Sequence, residues 1–140
     1  EIFKKETADY LDRFESSSNY LSLEEALIER QRLRRLWSDF FSVYHVCIGP
    51  TWCNLPWPID SDLDPENGNE VLRKSFAFIA PGNCLGIPSV SMPMGIANNL
   101  PTGIQIYSDL FHDDRCIWAA KIIENKAKPI TPIDPITTKN

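Results

Sequence analysis

The chain has 140 residues, 43% of them hydrophobic and 24% charged, with a net charge of −5. That length sets one domain, able to bury roughly 70% of its unfolded surface, with the composition of an ordinary soluble globular protein. The acidic balance excludes a general binder of phosphate backbones, which needs a basic surface, and no apolar run approaches the roughly 18 residues of a membrane span.

Residues 1–21 read as an N-terminal helix and linker. Phe3, Thr7, Tyr10, Leu11 and Phe14 share one face, which predicts an amphipathic helix near 3–15. Ser16, Ser17, Ser18 and Asn19 break it. With no flanking glycine to bring backbone amides to an oxyanion, the three serines are a polar linker rather than a nucleophile turn. Ser22 and Glu25 then form a capping box. It opens a helix near 22–42 whose apolar stripe includes Leu23, Leu27, Leu33, Leu36, Trp37, Phe40 and Phe41. Arg30, Arg32, Arg34 and Arg35 fall mainly off that stripe. They read as a solvated face paired with Glu24, Glu25 and Glu29, against the sharper alternative of a site for an anionic partner.

A strand is predicted near 44–49, closed by Gly49 and Pro50. From Thr51 to Asn69, prolines 56, 58 and 65 remove amide donors and fix φ, so this stretch is an irregular loop. Trp52 and Trp57 lie in it and should pack on something. A helix follows near 70–80, which Pro81 ends or kinks, and Gly82 and Asn83 turn the chain. Strands near 89–93 and 103–107 flank a connection with the residues of a hairpin turn, and Pro93 and Pro101 restrict pairing at the strand ends. Asp113 caps a last helix near 113–126, with Cys116, Ile117, Ala120 and Ile123 inward. Pro129, Pro132 and Pro135 mark residues 127–140 as an extended tail.

Cys47, Cys53, Cys84 and Cys116 lie mostly in apolar runs and form no Cys-x-x-Cys pair, and His45 and His112 stand at no zinc-ligand spacing. No metal is expected. Buried free thiols imply a reduced compartment, the cytoplasm. The chain begins at Glu1 with neither an initiator methionine nor a signal peptide, as expected of a piece cut from a longer chain.

Three short motifs follow one another: Asn83-x-x-Gly86-x-Pro88, Pro93-x-Gly95 and Pro101-x-Gly103-x-Gln105. Gly86, Gly95 and Gly103 suit positions of positive φ or close backbone approach. Pro88 and Pro93 start and stop a strand, and Asn83 holds a turn. Gln105 has apolar neighbours, needs partners if buried, and is expected to tie its strand to an adjacent loop. In this order, after Phe40, Phe41 and Tyr44 and before the Asp113 helix, the motifs resemble the C-terminal segment of the amidase signature family over residues 22–126. One departure is His45, where the family usually has Asp. A histidine at a strand start reads as structural.

The resemblance implies an α/β fold, a C-terminal fragment of a mixed β-sheet flanked by helices. It also implies the family's amide hydrolysis by a Ser–cis-Ser–Lys triad with an oxyanion site of glycine-loop amides. None of those catalytic residues maps onto this chain. No serine sits in a Gly-Gly-Ser-Ser-Gly-like context, Ser89 and Ser91 alternate with Val90 and Met92 as sheet residues, and Lys74 and Lys121 have no apolar surroundings that would make them bases. The expected function is therefore the non-catalytic C-terminal part of an amidase, a hydrolase that converts a carboxylic amide to an acid and ammonia or an amine. Trp52, Trp57, Phe76 and Phe78 would line the parent's acyl pocket. Phe76 stands where the A-type chain of glutamyl-tRNA amidotransferase has an acidic substrate contact, which implies a less polar acyl group. The expected partner is a small-molecule amide, with no cofactor, nucleic acid or membrane. Cutting a sheet exposes edge amides and an apolar face, so a homo-oligomer or swapped dimer is expected of the isolated chain. The alternative is a non-enzymatic structural or interaction module derived from the same fold.

Overall fold

The computed structural model describes residues 20–127. The helix expected near 3–15, the serine linker and the tail beyond Ala127 lie outside that span.

Helix α1 runs Leu23–Val43 and opens on the capping box: Glu25 N donates to Ser22 Oγ at 3.3 Å, and Ser22 N donates to Glu25 Oε2 at 2.8 Å. These bonds satisfy amides that no helical carbonyl can reach. Only part of its apolar stripe meets the core. Leu33, Trp37 and Phe41 pack inward, while Leu23, Leu27, Leu36 and Phe40 are exposed. Tyr44 caps α1, so strand β1 starts later than expected and runs Cys47–Pro50.

Two further strands, β2 (Ser89–Ala97) and β3 (Leu100–Tyr107), complete a sheet of order β1-β3-β2 in which both pairings are antiparallel. The C-terminal end of central β3, Gln105–Tyr107, is buried on both faces, its successive residues facing opposite sides. Ile106 packs with Met92 and Ala119 of helix α4 (Asp113–Ala127), with Ile104 beside them. Tyr107 packs on the other face with Phe41, Leu85 and Ile87. The molecule is thus α1 and its neighbours, a sheet, and α4, in the helix-and-strand architecture that the sequence implies.

Between β1 and β2 the single helix expected near 70–80 is two, α2 (Gly68–Phe76) and α3 (Ile79–Leu85). Pro81 neither ends nor kinks a helix. It stands in the first turn of α3, where no helical bond requires its missing N–H. Gly82 and Asn83 are inside α3 and do not turn the chain. The turn falls at Gly86, whose φ of 68° is the left-handed cap conformation and whose N–H donates to Gly82 O at 2.8 Å. Gly82 is needed for another reason: a Cβ there would enter the Tyr107 ring. Arg30 Nε donates to Cys84 O at 2.6 Å and Arg34 Nε to Leu85 O at 2.8 Å. These two arginines therefore hold the carbonyl end of α3, and of the four only Arg32 takes the expected glutamate, Glu29.

Both hairpin strands run past their prolines. Pro93 pairs with Gly103 and does not stop β2. Gly103 gives its carbonyl to Thr51 on the β1 side, so its pair with Pro93 is a non-hydrogen-bonded one, the N of Pro93 points away from β3, and the absent N–H costs no ladder bond. Pro101 lies beyond the stretch of β3 that β1 covers, Ile104–Tyr107. The turn itself is Asn98-Asn99, with φ of 51° and 62°, the paired left-handed conformation that matches strand twist. Gly95 has neither a positive φ nor a neighbour within 4 Å of a Cβ, contrary to expectation, and simply follows a bulge at Met94.

Candidate functional site

The proline-rich loop folds back against the hairpin. Thr51 N donates to Gly103 O at 3.0 Å, and Cys53 N donates to Ser75 O at 3.2 Å. Asn54 Nδ2 donates to Ser75 Oγ at 2.9 Å. Ser75 is fully buried in α2, so the loop is pinned to a rigid helix at one end and to the sheet at the other. Gly103 permits the second attachment: a Cβ there would come within 3.0 Å of Met92 O and 3.1 Å of Thr51 Oγ1.

This folding brings Trp52 and Trp57 together, with ring centroids 5.2 Å apart. Between them and the hairpin lies an open cleft of about 620 Å³, within the size range of small-molecule sites. Trp52, Pro56 and Trp57 form one side, and Ser91, Pro93 and Pro101 belong to the other. Phe76 stands behind the cleft, edge-on to Trp52 at 4.7 Å. Phe78 does not line it. Its ring fills the space that the missing Cβ of Gly49 leaves, and lies 5.2 Å from the Tyr107 ring in the core. Of the motif residues, Pro93, Pro101 and Gly103 reach the cleft, while Asn83, Gly86 and Pro88 sit at α3 and its exit.

Gln105 is 7% exposed and its side chain is satisfied by neighbouring hydroxyls rather than by a loop directly. Ser91 Oγ donates to Gln105 Oε1 at 3.1 Å; Gln105 Nε2 donates to Ser89 Oγ at 3.2 Å and to Tyr107 Oη at 3.1 Å. Tyr107 in turn donates to Phe78 O at 3.1 Å. Burial pushes the Tyr107 hydroxyl above its ordinary pKa, so it stays protonated and keeps donating. Thr51 Oγ1 is buried and without a partner among the described residues.

The tryptophans were legible in the sequence, whereas Thr51 was not and Ser91 read only as a sheet residue. The signal for Ser91 was its place two residues before Pro93 on the Gln105 face, which becomes legible once strand register is known. None of the side chains lining the cleft is titratable. The cleft can therefore bind and orient a group, but its own walls offer no proton donor or acceptor for general acid–base work.

A family model described as Amidase matches residues 3–117. Indoleacetamide hydrolase of Bradyrhizobium diazoefficiens is 31% identical over 116 residues, which are 80% of this chain and 22% of that protein. The A-type chain of the glutamyl-tRNA(Gln) amidotransferase of Clostridium kluyveri is 31% identical over 113 residues, 78% of this chain and 22% of that protein. The crystal structure of the corresponding chain from Thermotoga maritima superposes with a TM-score of 0.64 at 22% identity, covering 86% of this chain and 24% of that one. The chain thus spans about a quarter or less of the length of these relatives.

Proposed function

The chain belongs to the amidase family, and from that premise we propose that it is the non-catalytic C-terminal part of an amide hydrolase, supplying one wall of the acyl pocket. The observation that carries this reading is the Trp52–Trp57 cleft, formed on a chain that matches the family and holds no titratable wall residue. The nucleophile, relay and base would come from polypeptide outside residues 1–140. The substrate is a small carboxylic amide whose acyl part is apolar and flat enough to lie against indole rings. The relative that acts on an indole-bearing amide, by its name, supports that class. Among the described residues no helix is long and apolar enough to cross a membrane, and we place the protein in the cytoplasm.

The test is amide hydrolysis by the full-length protein, read as ammonia released from indole-3-acetamide. We expect turnover by the full-length protein and none by residues 1–140 alone. Trp52→Ala and Trp57→Ala should each raise KM about tenfold, the loss of roughly 1–2 kcal/mol of aromatic contact, with a smaller change in kcat. Unchanged KM in both variants would sink the pocket assignment. Absence of turnover of any aromatic or aliphatic primary amide would turn the reading to a structural or interaction module.

A further inference from the structure

The hydrogen bonds behind the cleft have only one consistent direction, and that direction has a consequence for what the cleft accepts. Phe78 O is a carbonyl and can only accept, so Tyr107 spends its single proton on it. Tyr107 Oη must then accept from Gln105, which places Gln105 Nε2 at the tyrosine. The amide oxygen Oε1 is thereby turned toward Ser91, whose hydroxyl has to be the donor. The second Nε2 proton goes to Ser89 Oγ. Gln105 and Tyr107 are 7% and 1% exposed, so water does not readily loosen this order. At the cleft end of these bonds, Ser91 is exposed and lines the cavity with its one proton already committed.

We propose that Ser91 is a specificity-determining residue, an acceptor-only oxygen in the cleft that selects acyl groups bearing an N–H or O–H donor. This rests on the acyl-pocket reading above and deepens it: the apolar walls take a flat ring, and Ser91 distinguishes rings that carry a donor from those that do not. The physical basis is that a donor buried against an acceptor is satisfied, whereas a ring without one leaves Ser91 Oγ facing apolar surface. Gln105 and Tyr107 act as positioning residues, because they settle which way the serine proton points.

The test uses the full-length protein and two primary amides of nearly equal shape, indole-3-acetamide and 1-benzothiophene-3-acetamide, in which sulfur replaces the ring N–H. The readout is the ratio of their kcat/KM values. We expect the unaltered protein to favour the indole compound about tenfold, the worth of one neutral hydrogen bond of roughly 1.4 kcal/mol, and Ser91→Ala to bring the ratio down toward one. Tyr107→Phe does not touch the cleft but frees the Gln105 amide to turn over, so it should lower the ratio to an intermediate value. A merely structural tyrosine would change both rates together. A ratio in Ser91→Ala equal to that of the unaltered protein, while Trp52→Ala raises KM for both amides, overturns this inference and leaves the acyl pocket standing. If neither tryptophan variant changes KM for either amide, or neither amide is turned over, the underlying reading fails and this inference falls with it.

Discussion

Cys116 shows how a single buried group links packing to pH. It is 1% exposed on the inner face of α4, and its Sγ donates to Pro88 O at 3.5 Å. Burial, with smaller contributions from Asp113 and Asp114, pushes its thiol from 9.0 up to about 11. The folded state therefore keeps a proton that the unfolded chain gives up near pH 9. The stabilisation is complete below that pH and is lost as pH rises toward about 11. Cys47 and Tyr107 are shifted upward by burial and act in the same direction. Urea midpoints measured from pH 7 to 11 should stay flat to about pH 9 and then fall, and Cys116→Ala should flatten part of that fall. At pH 8, iodoacetamide should modify exposed Cys53 and Cys84 well before Cys116. The exposure of Cys53 and Cys84 departs from the expectation of buried thiols. Cysteine in an apolar run is a statement about neighbours in sequence, and α3 turns Cys84 outward. Gln105 is the converse case. Its apolar neighbours made burial and the need for partners readable, but two of its three partners come from a strand fourteen and sixteen residues away, and only Tyr107 is near in sequence.

At the scale of the element, local chemistry was the reliable guide wherever a residue type leaves little conformational choice. The capping box fixed the start of α1, and the asparagine pair marked the hairpin. Replacing Asn98 or Asn99 by Ala forces a Cβ residue lacking a polar side chain into the left-handed region. Each change should cost about 1 kcal/mol, seen as a lower thermal midpoint with the cleft geometry retained; Asn99→Gly should cost nothing or stabilise. Prolines were less reliable guides. Pro81 was compatible with a helix start as well as with a helix end, and the sequence pattern alone does not separate the two. The choice was made by Gly82, which has to lie under the Tyr107 ring inside α3. The arginines of α1 likewise had glutamates within helical reach, yet Arg30 and Arg34 bond the carbonyl end of α3 instead, where the helix dipole favours positive charge.

For the whole molecule, the proposal that this is one part of a larger amidase makes a prediction about the surface. Strand β1 has only β3 as a partner among the described residues, and Ile48 on it is 50% exposed. Val43 and Tyr44 at the end of α1 and Trp118 on α4 are also exposed. An open strand edge beside apolar side chains recruits another surface. The isolated chain should sediment above its 16.0 kDa monomer mass and bind an apolar dye, whereas the full-length protein should sediment at its own monomer mass and bind no dye. A compact dye-free monomer of residues 1–140 would count against the proposed division of the enzyme.

The α/β character, the capped helix, the hairpin and the family could all be read from residue order, because caps, turns and apolar periodicity are local properties. The register of the hairpin could not. Counting back from Asn98-Asn99 without interruption sets Met92 opposite Gln105 and Ser91 opposite Ile106, which mixes polar and apolar faces. The bulge at Met94 shifts β2 by one residue, so that Met92 meets Ile104 and Ser91 meets Gln105. A one-residue slip exchanges the two faces of a strand. Burying Met92 and Ile106 against Ala119 of α4 selects the shifted pairing, and the same shift carries the Ser91 hydroxyl to Gln105 at the cleft. That outcome depends on α4 and the loop of Trp52 and Trp57 arriving on opposite sides of the sheet, information that no segment of the hairpin contains.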